Sequence, residues 1–263
     1  MYRLDQFGEV GMVLDSLERY HVGVHEVPAA LAERGLALVE GLADSSDLLR
    51  LAESTGTVVP HRDSGADGVT TVADLGAERV QSGFAGFSAC ALNPHTDRSG
   101  VDHPPVLLMT SCGQPAVTGG ECVLIDGQAV YNELAESEPD ALRALCAPRS
   151  VLFGGAAGYL GSIFTDVEDG WVAIRLRLDD LAQFSPEVDR WLPTLRAAID
   201  RHAMRINLDT GQGYVLNNRR WLHGRRAFTG QRVVFRVNAS PLPHLGIPFG
   251  FRSSPVAASS GTR

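Results

Sequence analysis

Two short stretches, Asn93-Pro94-His95-Thr96-Asp97 and the distant Trp221-Leu222-His223-Gly224-Arg225, together carry two imidazoles and one carboxylate. In an extended strand, residues i and i+2 point to one side, so His95 and Asp97 can face a single ion together. His223 completes the set only in a fold that lays a distant strand beside the first. Two His and one carboxylate are the ligand set of the facial triad that holds non-haem Fe(II), with open positions left for a co-substrate and oxygen. His95, Asp97 and His223 are therefore the expected metal ligands and catalytic centre. His61-Arg62-Asp63 repeats the pattern but lies in a turn-rich stretch with no apolar strand behind it, and is set aside as a ligand pair.

The rest of the chain reads as many short strands broken by Gly and Pro turns, with a few helices. Expected strands are Leu36 to Val39, Thr57 to Val59, Arg149 to Phe153, Trp171 to Arg177, Met204 to Asn207, Gly213 to Leu216 and Val233 to Asn238. Expected helices are Val27 to Arg34, a second one capped by Asp44 and running to Ser54, Leu134 to Leu145, and an insert over 185–202 with Trp191, Leu192, Leu195 and Ile199 as its apolar stripe. Such a pattern argues a mainly β fold of two sheets with covering helices, α+β in class. The 263 residues suffice for one substantial core, expected over 1–252. The Gly-, Asp- and Ser-rich stretch 61–86 reads as a flap over the site, and the small polar residues of 253–263 read as a disordered tail.

Composition narrows the chemistry. Lys is absent, so all 23 basic residues are Arg. That removes Schiff-base, phosphate-loop Lys and Ser-Lys mechanisms. The four Cys (Cys90, Cys112, Cys122, Cys146) form no Cys-x-x-Cys pair, which excludes a zinc ribbon or thioredoxin motif. A net charge of −8 argues against nucleic acid or an anionic membrane as partner. No apolar run is long enough to span a bilayer, and Met1 to Gln6 lacks a signal-peptide layout, so the expected location is cytoplasmic. A homo-oligomer is left open. Gly154-Gly155-Ala156-Ala157-Gly158 lacks dinucleotide-loop spacing and reads as a wide turn.

Pro94-His95-Thr96-Asp97, Thr118-Gly119-Gly120-Glu121, Asn217 to Arg225 and the pair Arg232/Arg236 resemble the taurine dioxygenase and clavaminate synthase-like family of Fe(II)- and 2-oxoglutarate-dependent dioxygenases. The resemblance runs over about 27–240. It implies a double-stranded β-helix (jelly roll) core, with Fe(II), 2-oxoglutarate and O2 as cofactor and co-substrates. It also places Arg232 on the distal carboxylate of 2-oxoglutarate and Arg236 near its iron-chelating end. A guanidinium suits a carboxylate because it donates two parallel charge-assisted bonds, and an even spacing puts both Arg on one strand face. Where the family often has Thr after Gly-Gly-Glu, this chain has Cys122; Thr118 or another hydroxyl is expected to compensate. Asp97 favours hydroxylation, since related halogenases carry Gly or Ala at that position.

The implied substrate is a small polar molecule such as an amino acid or natural-product intermediate, with Arg98, His103 and Arg225 as candidate contacts. Arg225 reads equally as a structural ion-pair partner. Alternatives are a taurine-like sulfonate substrate, desaturation or cyclisation at the same centre, an inactive metal-binding sensor, and a zinc hydrolase on the same ligands.

Overall fold

In a computed structural model, residues 17–76 and 83–253 are described. The expected tail beyond Ser253, the chain start and part of the flap lie outside them. Eighteen strands appear among the described residues. In chain order they are β1 Leu36–Val39, β2 Gly56–Val58, β3 Thr70–Ala73, β4 Leu92–His95, β5 Leu107–Gln114, β6 Thr118–Gly119, β7 Cys122–Asp126, β8 Val151–Phe153 and β9 Tyr159–Gly161. There follow β10 Phe164–Asp166, β11 Trp171–Ile174, β12 Ala182–Phe184, β13 Ala203–Ile206, β14 Gly213–Asn217, β15 Trp221–Arg225, β16 Phe228–Thr229, β17 Val233–Pro241 and β18 Phe251–Arg252.

Two antiparallel sheets build the core. One runs β1-β14-β5-β17-β2, with β3 also on β17; the other runs β13-β7-β15-β4. The chain passes between them repeatedly: β4 to β5 to β7, then β13 to β14 to β15 to β17. This alternation is the jelly roll, mainly β and antiparallel. It makes strands far apart in sequence into neighbours, as the split ligand set demands.

Alternation along β17 divides the labour. Phe235, Val237 and Ala239 pack into an outer core with Val27, Leu31, Leu48 and Leu51 from the covering helices. Val234, Arg236 and Asn238 lie on the opposite, inner side, and Arg232 just precedes the strand. The helix Ser45–Thr55 starts at Asp44, whose carboxylate accepts from the Ser46 and Asp47 N–H groups, as the sequence implied. The insert forms the helix Pro186–Arg201 and buries Val188, Leu192, Leu195, Ala198 and Ile199, while Trp191 is only half-buried.

One expected helix differs. In place of a single helix from Leu134 to Leu145 there are two, Gly127–Ser137 and Pro139–Leu145. Pro139 cannot continue the first helix but suits the first turn of the next, so the chain breaks at Glu138. No helix among the described residues is long and apolar enough to cross a membrane.

Trp221 opens the strand that carries His223. Its side chain is fully buried, meets Tyr20 edge-on at 5.6 Å, and donates from Nε1 to the Arg34 carbonyl at 3.0 Å. Trp221→Ala should lower unfolding free energy by about 3–5 kcal/mol, read from denaturant titrations of the metal-free protein.

Candidate metal centre

β15 pairs with β4 antiparallel, and His223 lies directly opposite His95. The two imidazole centroids are 4.2 Å apart. A register irregularity between His223 and Arg225 marks the point where the ladder distorts. β4 stops at His95, so Asp97 sits two residues beyond the strand and is not positioned by sheet pairing. Donor atoms of His95, Asp97 and His223 nevertheless lie within 4.8 Å of one another.

What replaces the ladder is Asn218, a fully buried amide. Its Oδ1 accepts from the Asp97 N–H at 2.7 Å, and its Nδ2 donates to the Asp97 carbonyl at 3.0 Å and the Pro105 carbonyl at 2.9 Å. Asn218 lies in the turn from β14 to β15, so the turn that launches His223 also holds the backbone of Asp97. The Asp97 carboxylate is held separately. Arg236 Nη1 donates to Oδ1 at 3.2 Å, and Asn238 Nδ2 donates to Oδ2 at 2.8 Å.

The electrostatics suit a cation. Burial pushes the Asp97 carboxyl up, but Arg236, the two imidazoles and the Asn238 amide outweigh it and hold Asp97 well below the usual carboxylate range. Burial pushes both His below their ordinary value, His223 the further. The donor set is therefore one carboxylate and two neutral imidazoles. His95 Nδ1 engages the Asn93 carbonyl at 2.9 Å, which orients the ring. His223 Nδ1 is buried with no hydrogen-bond partner. These residues fit a divalent metal.

Arg232 is buried, and among the described residues no carboxylate pairs with it; its Nη2 donates to the Cys122 Sγ at 3.8 Å. A buried guanidinium without an anion is costly, and a carboxylate ligand would complete it. Cys122 is buried and its thiol is pushed up by that burial, so it stays a neutral, weak acceptor. Thr118 is not brought here: it is exposed on the small β6–β16 ribbon and bonded to the Thr229 hydroxyl at 2.6 Å. The Tyr214 hydroxyl, bonded to Thr110, does lie within the field of Arg232, Cys122 and Asp97. Tyr214 stands opposite Thr110 in the β14–β5 ladder, so both point inward together.

A cavity of about 400 Å³ opens beside His95, Asp97 and Arg236. Arg98 lines it, in a left-handed backbone conformation (φ 55°), and donates to the Pro60 carbonyl at 3.1 Å. His103 does not line it; the side chain is 94% exposed and lies 3.5 Å from the Asp102 carboxylate. Arg225 is buried and does not line the cavity, and among the described residues no carboxylate pairs with it. Its guanidinium donates to three carbonyls, those of Gly86 at 3.1 Å and of Ser88 and Cys90 at 2.6 Å. Arg175 does the same beyond Asp97, donating to Ser99, Val101 and Asp102 carbonyls at 2.5–2.8 Å. Burial lowers both guanidinium groups to about 10, so both stay charged near neutrality.

Several wall residues were not singled out from sequence. Arg177 and Asp179 form a two-pronged ion pair in the cavity. His61 and Asp63, rejected as ligands, line the wall facing Arg236 and Asp97. The Gly154–Gly158 turn packs backbone to backbone on the loop after Asp97: a Cβ at Gly154 would lie 2.8 Å from the Gly100 Cα. Asn238 was legible as the next inward residue after Arg232, Val234 and Arg236; Asn218 had no local signal of its role.

Arg225→Ala would strip charged donors from three carbonyls. It should cost at least about 2 kcal/mol and speed amide exchange in 85–91 selectively, as read by hydrogen–deuterium exchange.

Comparison with known proteins shows the family and the fold. The family model described as "Taurine catabolism dioxygenase TauD, TfdA family" matches residues 2–238. Human gamma-butyrobetaine dioxygenase is 22% identical over 176 residues, covering 60% of this chain and 46% of the relative. A uridine-5'-phosphate dioxygenase from Amycolatopsis sp is 28% identical over 130 residues, covering 44% and 47%. The chain thus spans about half the length of the curated relatives it matches. Among solved structures, an asparagine oxygenase complexed with Fe(II), 2S,3S-3-hydroxyasparagine and succinate superposes with a TM-score of 0.67 at 16% identity, over 89% of this chain and all of that one. The non-heme iron oxygenase OrfP with Fe and alpha-ketoglutaric acid gives 0.61 at 13% identity, over 89% and 87%. With the family model matching most of its length, the chain belongs to the taurine catabolism dioxygenase TauD, TfdA family.

Proposed function

We propose that this protein is a non-haem Fe(II)- and 2-oxoglutarate-dependent oxygenase that hydroxylates an unactivated C–H of a small polar substrate, an amino acid or similar metabolite. The observation that carries the reading is the convergence of His95, Asp97 and His223 donor atoms within 4.8 Å beside a cavity of about 400 Å³. A cavity of that size suits a small molecule. Family membership supports the chemistry, and relatives crystallised with hydroxyasparagine or hydroxyarginine support an amino acid as substrate.

In this reading Fe(II) is held by His95, Asp97 and His223 and, with the keto acid, supplies the oxygen activation and hydrogen removal. The protein's own residues position and exclude. Arg232 binds the distal carboxylate of 2-oxoglutarate, with the Tyr214 hydroxyl taking the part usually played by Thr. Arg236 stands at the metal-proximal end, where it also holds Asp97 ionised. Arg98 and the Arg177–Asp179 pair face the substrate with both charge signs, as a zwitterion requires. Arg225 and Arg175 hold the two flanks of the Asp97 segment through carbonyls of 86–90 and 99–102.

Anaerobic addition of Fe(II) and then 2-oxoglutarate should produce a weak visible charge-transfer band that needs both. Asp97→Ala should abolish or displace it. A folded, iron-loaded protein without the band would sink the co-substrate assignment. Arg232→Ala should raise the 2-oxoglutarate concentration needed for half-maximal band intensity by at least about tenfold, because a charge-assisted pair is lost. Unchanged half-saturation would move the distal carboxylate elsewhere.

A further inference from the structure

Asn238 belongs to the six-stranded sheet, yet its side chain acts on Asp97, just beyond the end of β4 in the opposite sheet. It is 2% exposed and sits opposite Leu108 in the β17–β5 ladder. Its Nδ2 donates to Asp97 Oδ2 at 2.8 Å, whereas Arg236 reaches Oδ1 only at 3.2 Å. Its backbone carbonyl accepts from the Val59 N–H at 2.8 Å, just where the chain leaves β2 for Pro60 and the flap. Its own Oδ1 is buried with no partner. A carboxylate only accepts, so Asp97 forces the amide nitrogen inward and leaves the amide oxygen stranded.

We propose that Asn238 is a positioning residue for the metal carboxylate. A carboxylate can offer a cation one oxygen or both, or turn wholly into a salt bridge with a neighbouring guanidinium. Arg236 alone would draw the Asp97 carboxylate into such a bridge. The shorter Asn238 bond pins Oδ2 and sets the carboxylate plane, which fixes how Asp97 would present itself to an ion. No local motif announces this, because Asn238 and Asp97 are 141 residues apart. The inference rests on the metal reading of His95, Asp97 and His223.

Two variants separate hydrogen bonding from packing. Asn238→Ala leaves a void; Asn238→Leu refills it and also removes the stranded acceptor. Fe(II) affinity is measured by anaerobic titration of the full chain, with the charge-transfer band and metal-free melting temperature recorded alongside. Loss of an outer-shell partner should weaken Fe(II) binding by about tenfold or more in both variants, and should shift the band. Wild-type affinity and band position in Asn238→Leu would reduce the residue to packing and overturn the proposal. So would failure of both variants to fold. Wild-type protein that takes up no Fe(II) would instead remove the metal reading itself, and this inference with it.

Discussion

The structure depends on one cross-strand pair. His223 and His95 stand opposite each other on β15 and β4, and that register makes a single site out of two distant segments. A slip of one residue on either strand would turn an imidazole to the far side of the sheet. Leu222, which takes the alternate position on β15, is fully buried in the core under the insert helix, so such a slip would also expose a core side chain. The register is thus held by the hydrophobic core, and the ligand pair inherits its precision from that packing.

Asp97 obeys a different logic. It lies beyond the end of β4, where no ladder orients it, and two buried amides and a guanidinium take over. Asn218 comes from the turn leading to His223, and Asn238 comes from the strand that follows it. The carboxylate is therefore located relative to His223 from both sides. The same division appears in the flanking backbone, where Arg225 and Arg175 each gather three carbonyls. In a chain without Lys, Arg serves as a structural cap as well as a binding group. The planar fork reaches several oxygens at once, as an ammonium on a flexible stem does not.

Charge is distributed with equal economy. The chain carries −8 overall, yet the cavity wall presents Arg62, Arg98, Arg177 and Arg236. The anions of the wall are engaged: Asp97 with Arg236, Asp179 with Arg177, Asp63 with His61 and Arg62. The local balance favours an incoming anion such as a carboxylate.

Much of this was legible before any coordinates. The His-x-Asp motif and the distant His, the inward Arg232 and Arg236, the Asp44 cap and the Ser185–His202 helix all follow from local spacing, because alternation and helical period are properties of the chain itself. The helix break at Glu138 was legible too, in Pro139. Other assignments were not readable in the same way. Thr118 and His103 looked well placed by proximity in sequence, and the fold turns both to solvent. Arg225 read equally as a substrate contact or an ion-pair partner, and the structure instead sets its guanidinium on three carbonyls. Asn218 and Asn238 carry no motif that announces their shared target. The sequence by itself determined the donor types and the strand faces, including the shared inward face of Arg232 and Arg236. Only the tertiary structure decided which side chains meet, because contacts across two sheets and more than a hundred residues depend on how the strands pack, which no local period encodes.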